Sequence, residues 1–325
     1  MAAPTHPAAV RRPTLEPENS MMRSGFLART CLAAMVLSVA ASRAVQGQPG
    51  GAGAQPGWAA VERALGRPGA AQPGDVVRFS FPRGDLHVTV DGVQLRPALA
   101  LGSWIAFRRV DGGTAMAMGD LVLAEDEVAP AMSRLQQGGV QQTAVHNHVL
   151  RESPRVMYMH VEAHGDPVRI AETVRAALGL TRTPMEPPPA QTAAAATDLD
   201  TAAVARALGH SGRVNGGVYQ VSVPRAETIR DGGHEVPPSM GVATAINFQP
   251  TGGGRAAITG DFVMIAGEVN PVIRALRENG IEVTALHSHL LGEEPRLFFM
   301  HFWANDDAVK LANGLRAALS RMNVR

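Results

Sequence analysis

Six of the 11 histidines fall in two triplets of identical spacing, His146/His148/His160 and His287/His289/His301, with Glu152 and Glu293 at the same offset in each. On a β-strand, side chains two apart share a face, so each H-x-H pair points one way. A hairpin folding about residue 153 sets His146 opposite His160 and His148 opposite Tyr158, and the same arithmetic about residue 294 sets His287 opposite His301. Three imidazoles on one face, with a carboxylate at the hairpin tip, suit Zn²⁺, Cu²⁺, Ni²⁺ or Fe²⁺ and leave a coordination position open. The triplets either hold an ion each or face one another across a pseudo-twofold interface. The plainer alternative is that they pack within the sheet or bond the hairpin backbone.

Each glutamate belongs to an E-x-P-R tip that ends in Arg155 or Arg296. Such a pair either fastens a turn, worth about 0–1 kcal/mol when exposed, or supplies a general base or metal ligand beside an arginine for an anionic ligand. Asp120 and Asp261, in a repeated Gly-Asp step, reach the same site or start a turn, and the turn is the commoner role. H-x-H-x3-E is also the first metal motif of cupins, but helices interrupt the strands here, which argues against a jelly roll. The literal His146-Asn147-His148 string is no HNH nuclease signature, since the second copy reads His-Ser-His. No Ser/His/Asp order, phosphate-binding glycine loop or dinucleotide fingerprint accompanies these residues. Met159 and Met300 fall on the opposite strand face and read as packing against helices.

The positioning elements come from an internal repeat. A shift of 141 positions aligns Gly119–Leu178 with Gly260–Leu319 without a gap, and 9 of 17 positions are identical between Ala144–His160 and Ala285–His301. Looking for such repeats first decides the domain count. Two homologous domains follow, about 58–181 and 200–323, joined by a Pro/Ala-rich linker at 182–199. Each is expected to open with a short helix (58–65, 202–208) and continue through strands at 76–81, 104–108 and 115–123, or 218–223, 243–248 and 256–265. A helix (128–137, 269–278) then leads to the histidine hairpin, with strands at 142–150 and 155–161, or 282–291 and 296–303. A last helix (167–178, 307–319) follows, with Asp166 and Asp306 as N-caps. This order predicts an α+β fold, an antiparallel-rich sheet packed with helices in each tandem domain.

The 325-residue chain is 45% apolar and carries 30 Lys+Arg against 29 Asp+Glu, so it is ordinary folded protein with no basic excess, and nucleic acid is not an expected partner. Arg23 and Arg29 precede an apolar run at 31–41 followed by small residues, the anatomy of a secretory signal peptide cleaved near Ala44. That run is about a dozen residues where a bilayer-spanning helix takes about 20, so no permanent membrane anchor is expected. The single cysteine, Cys31, lies in this leader and precedes the apolar run, the wrong order for a lipidated cysteine. A mature chain without cysteine must build any metal site from His, Asp, Glu or backbone oxygen.

At GDLVLAEDEVAPAM, HNHVLRESPRVMYMH and GDFVMIAGEVNPVIRALRENGIEVTALHSHLLGEEPRLFFMHFWANDD the sequence resembles the LppY/LpqO family of exported bacterial proteins, a family whose domain has unknown function. The resemblance covers both repeats and implies export, a periplasmic or secreted location, but no activity. The residues themselves lead to an exported protein that binds a transition metal through its six histidines, for metal handling or metal-dependent hydrolysis. The rival is a non-metal binding module for an anionic small molecule or a protein partner. No feature of the sequence decides between binding and turnover.

Overall fold

The computed structural model of the chain describes residues 57–186 and 197–325. The expected leader with Cys31 and the middle of the expected linker lie outside the described residues. Both repeats fall within one compact unit.

The first repeat runs α1 (Ala59–Leu65), β1 (Ala70–Gln72), β2 (Val76–Pro82), β3 (Gly102–Arg109), β4 (Ala115–Ala124), α2 (Val128–Gln137), β5 (Gln141–His146), β6 (Val156–Gly165) and α3 (Pro167–Leu178). The second runs α4 (Thr201–Leu208), β7 (Gly212–Asn215), β8 (Val218–Pro224), β9 (Ala243–Gly252), β10 (Arg255–Met264), α5 (Ala266–Glu278), β11 (Glu282–His287), β12 (Phe298–Asp307) and α6 (Ala308–Leu319). Each repeat folds into a six-stranded antiparallel sheet, in the orders β1-β2-β3-β4-β6-β5 and β7-β8-β9-β10-β12-β11. This is the α+β architecture in two tandem copies that the repeat implied.

Strand alternation assigns the faces. In β2 and β4, Val77, Phe79, Phe81, Ala115, Ala117, Leu121 and Leu123 pack with Leu65, Leu135 and Val174 of the three helices. Their neighbours Val76, Met116 and Met118 point the other way, onto Ile229, Val236, Met240, Val263 and Phe299 of the second repeat. A matching core sets Val88, Val90, Leu95, Leu99 and Tyr158 against Val218, Ala257 and Trp303. The result is four layers, helices outside and two sheets face to face. Each repeat reaches over the other with an arm, fastened by Gln220 Nε2 donating to the Ala98 carbonyl at 2.8 Å and Arg108 Nη1 to the Glu235 carbonyl at 2.6 Å. Because β4 is covered on both sides, it reads as a nearly continuous apolar run interrupted at Gly119-Asp120.

Most elements end within a few residues of the sequence reading, and the exceptions have local causes. Helix α5 begins at Ala266 rather than Val269 because the Glu268 carboxylate reaches back to the Ile265 N–H, at 3.0 Å, and opens a turn earlier. Asp166 caps α3 as expected, accepting from Val168 N and Arg169 N. For α6 the cap is Asp307, which accepts from Lys310 N, while Asp306 pairs with Lys310 and Arg255. The strands expected to continue to Leu150 and Leu291 stop at His146 and His287.

Arg83 with Glu127, and their repeat counterparts Arg225 with Glu268, form a buried ion pair in each repeat. Arg83 Nη1 meets Glu127 Oε2 at 2.8 Å and the Val122 carbonyl at 2.6 Å, and Arg225 Nη1 meets Glu268 Oε2 at 2.6 Å and the Val263 carbonyl at 2.9 Å. Each arginine also pairs with a less buried carboxylate, Asp85 at 2.8 Å or Glu227 at 2.9 Å, so removing the glutamate leaves the guanidinium partly paired and costs about 1.5–3 kcal/mol. Urea unfolding of Glu127→Ala and Glu268→Ala should each show a loss of about that size; a loss below about 1 kcal/mol would refute the assignment.

Candidate metal centre

The six histidines converge between the two sheets. His160 and His301 sit mid-strand on β6 and β12, directly opposite Asp120 and Asp261 on β4 and β10. The aspartates therefore do not start turns; they occupy the inward face of a central strand. The glycine before each is required by close approach, since a Cβ at Gly119 would lie 2.6 Å from the Trp104 carbonyl and one at Gly260 would collide with the Ala245 carbonyl.

The hairpin register differs from the sequence arithmetic. His146 lies opposite Tyr158 and His287 opposite Phe299, while Ala144 and Ala285 lie opposite His160 and His301. A two-residue slip preserves side-chain parity, so the imidazoles still share a face. The slip arises because the tips fold about residues 152 and 293, one earlier than in that arithmetic; beyond the histidines each ladder then has an irregularity, at Thr143 and at Thr284, its unpaired residue. Those hydroxyls cross the interface, Thr143 Oγ1 donating to the His289 carbonyl at 2.7 Å and Thr284 Oγ1 to the His148 carbonyl at 2.5 Å. Each repeat thus holds the other's H-x-H loop in place. The matched threonines were visible in the repeat, but only the bulge gives them this role.

His148 and His289 lie beyond the strand ends. Their loops are pinned by the fully buried Val149 and Leu290 that follow, and by ring stacking on Tyr158 at 3.3 Å and Phe299 at 3.5 Å between centroids. Across the pseudo-twofold the rings pair closely, His146 with His287 at 3.7 Å, His148 with His301 at 3.8 Å and His160 with His289 at 3.8 Å. Three overlapping groups have ligand atoms all within 4.8 Å of one another: His146/His148/His160, His146/His287/His301 and His160/His287/His289. Two of them mix the repeats.

Backbone carbonyls assign the tautomers. A carbonyl only accepts, so the facing ring nitrogen must carry the proton. His301 Nδ1 donates to the Gly260 carbonyl at 2.7 Å, His146 Nδ1 to Asn147 at 3.1 Å and His289 Nδ1 to Gly241 at 3.2 Å, which leaves each Nε2 with its lone pair when the ring is neutral. His146 Nε2, His148 Nε2, His160 Nε2, His287 Nδ1 and His301 Nε2 are buried without a hydrogen-bond partner, as are Asp120 Oδ1 and Asp261 Oδ1. His289 Nε2 lies 3.0 Å from Asp261 Oδ2 and 3.1 Å from His287 Nε2, so a proton or a cation must stand between His289 and that carboxylate.

Burial sets the charges. Desolvation, with neighbouring histidines adding to it, pushes His148, His160 and His287 well below 6.5, and desolvation chiefly takes His146 down to about 3. Desolvation also lowers His301, although Asp261 works against it. Asp120 is pushed up to about 7 by the same burial. Asp261 is equally desolvated, but His301 and His289 outweigh that and hold it below its usual range.

The two glutamates of the E-x-P-R tips are not members of these three histidine groups. Glu152 Oε1 accepts from Val156 N at 3.2 Å and Glu293 Oε1 from Leu297 N at 2.8 Å, so both close the tip loop. Arg296 pairs with Glu293 at 3.2 Å and donates to the Leu290 carbonyl, whereas Arg155 is exposed. Glu152 keeps one oxygen unpartnered, and desolvation pushes it up to about 7.

Fold and site together define a tandem α+β protein whose halves meet over one shared histidine cluster. A family model described as Domain of Unknown Function (DUF1259) matches residues 59–180 and 202–321. The chain belongs to that family and carries two copies of its domain. No curated protein matches it. Among solved structures it is similar to a trimeric bacterial microcompartment shell protein, PduB, with 14% identity over 78% of this chain and 89% of that one and a TM-score of 0.22. It is also similar to EtuB from Clostridium kluyveri, with 12% identity over 77% of this chain and 90% of that one and a TM-score of 0.18. Scores this low bear on neither fold nor function.

Proposed function

We propose that the chain is a transition-metal-binding protein whose site is built by both repeats at once, from His146, His148, His160, His287, His289 and His301. The observation that carries this reading is the set of five buried, unpartnered imidazole nitrogens beside two unpartnered aspartate oxygens. Buried polar atoms are rarely left unsatisfied, and a group of lone-pair donors aimed together calls for a cation. Donors of this kind suit Zn²⁺, Cu²⁺, Ni²⁺ or Fe²⁺. Imidazoles kept neutral by burial need give up no proton to bind a metal, and for the same reason are poor receptors for an anion.

The site opens toward solvent at His146 and His287, which are partly exposed, whereas His160, His289 and His301 are buried. Metal handling needs only that opening. Metal-dependent hydrolysis also needs an acid–base group, and of the two tip glutamates Glu152 has the free oxygen and the raised pKa for it. Export to the periplasm or beyond is part of the same proposal. Among the described residues no helix is long and apolar enough to cross a membrane.

Elemental analysis of the chain purified without a histidine tag tests the reading. Near-stoichiometric metal at the centre is expected, and a His146→Ala/His287→Ala variant, which removes a member of all three groups, should carry about one equivalent less than the native chain. A metal-free protein that takes up neither Zn²⁺ nor Cu²⁺ would sink it.

A further inference from the structure

A second cluster stands apart from the six histidines. Glu162 and His164 lie two apart on β6, beyond His160, with side chains on the inward face, and Asp231 reaches them from the arm of the second repeat. His164 Nε2 is 3.3 Å from Glu162 Oε1 and 3.3 Å from Asp231 Oδ2, and ligand atoms of all three lie within 4.8 Å of one another. The carboxylate side chains are 10% and 7% exposed and the imidazole 38%, so two buried anions face one another behind a ring that touches solvent. His234, paired with Asp231 across its short hairpin, places a further imidazole 6.4 Å from His164 between ring centroids.

The second repeat provides an internal comparison. The 141-residue shift puts Trp303 where Glu162 stands and Asn305 where His164 stands. The arms correspond through their backbone pairings, Thr89 with Ser153 and Arg230 with Glu294, so that Val90 takes the place of Asp231. At this equivalent place Trp303 and Val90 share one apolar core, and Asn305 bonds the Thr251 hydroxyl at 2.9 Å. The fold therefore fills this position with apolar side chains in one half. In the other it buries two carboxylates beneath a solvent-exposed histidine at the same position, an arrangement with a desolvation cost that a well-packed apolar pair avoids.

We propose that Glu162, His164 and Asp231 form a second divalent-metal site, independent of the central one, with His234 close enough to join after a small shift of its turn. Its mixed oxygen and nitrogen donors suit Zn²⁺ or Mn²⁺. Because Glu162 and Asp231 belong to different repeats, a bound ion also ties the first sheet to the arm of the second.

The test uses Zn²⁺ alone, counted by calorimetric titration and elemental analysis of the full chain. In the His146→Ala/His287→Ala background about one equivalent should remain, and it should disappear on adding Glu162→Gln or His164→Asn. In the otherwise native chain, Glu162→Gln should lower the count by one while the central equivalent stays. Removing one of two facing carboxylates relieves repulsion, so the metal-free Glu162→Gln protein should unfold no lower than the native chain. His164→Asn installs the residue found at the equivalent place and leaves the carboxylates alone. A central-site double variant that binds no Zn²⁺, or Glu162→Gln and His164→Asn chains that keep the full count, would overturn the proposal. Failure of the central reading shows separately, as a His146→Ala/His287→Ala chain with the native count.

Discussion

Zn²⁺ added to the metal-free chain should raise its thermal unfolding midpoint by on the order of 10 °C. A ligand that binds only the folded state stabilises it by about 4 kcal/mol at 1,000 times its Kd, and each kcal/mol moves the midpoint of a chain this size by about 2–4 °C. The unfolded chain cannot compete, because the site joins strands from two repeats and H-x-H loops held across the interface by Thr143 and Thr284. The His146→Ala/His287→Ala variant should lose most of the shift, since each of the three ligand groups contains one of those residues. The quantity to compare is the Zn²⁺-induced shift in each chain, because the metal-free variant also loses the His146 Nδ1 bond to the Asn147 carbonyl and the His287–His289 contact and starts from a lower midpoint. A native-sized shift in the double variant would place the metal elsewhere.

Acid should destabilise the metal-free chain steeply. His146, His148, His160, His287 and His301 are all held below 6.5, chiefly by desolvation. Between pH 6 and 5 the unfolded chain therefore takes up protons at four of these, His146, His148, His160 and His287, that the folded chain leaves neutral, and stability falls with pH by about 1.4 kcal/mol per unit for each. Carboxyls raised in the fold act in the opposite sense. Asp120 and Glu152, both pushed up to about 7, hold protons in the folded chain that the unfolded chain does not take up until its ordinary carboxyl range, and Glu162, raised mainly by burial, works in the same sense, against the lowered His301. His164 is raised, is protonated in both states below pH 6, and drops out.

Four sites against two leave a net of about two protons, or about 3 kcal/mol per pH unit between pH 6 and 5. Urea unfolding across that range, after exhaustive chelation, measures the slope. Replacing His146 and His287 by Gln removes two of the four sites and should nearly flatten it. A native slope near zero would mean that the histidines are charged in the fold, and the neutral-imidazole argument for metal over anion would go with it.

The repeat made much of this legible in advance. Helices α2 and α3 occupy the expected residues, and the inward face of the histidines follows from parity alone, which is why a two-residue register error did no harm. The register itself depends on where the tip loops fold, about residues 152 and 293, and a one-residue difference there, like the single unpaired residue at Thr143 or Thr284, leaves no mark in an apolar/polar pattern. The position of Asp120 and Asp261 was hidden because Gly-Asp is ordinary turn composition. Here the glycine serves close strand approach in mid-sheet, which depends on the neighbouring Trp104 and Ala245 carbonyls.

By itself the sequence determined the two α+β copies, the six histidines, their common faces and the carboxylates available to them, because these follow from periodicity and from a repeat compared with itself. Only the tertiary structure decided that the two triplets form one cluster, that Asp120 and Asp261 join it, and that Glu152 and Glu293 close their own loops. The reason is that the contacts in question run between residues about 140 positions apart, His146 to His287, Thr143 to His289 and Thr284 to His148. Local pattern can say which face a side chain takes. What stands opposite that face depends on how the two sheets pack, and that packing is set by the apolar cores that each repeat shares with the other's arm.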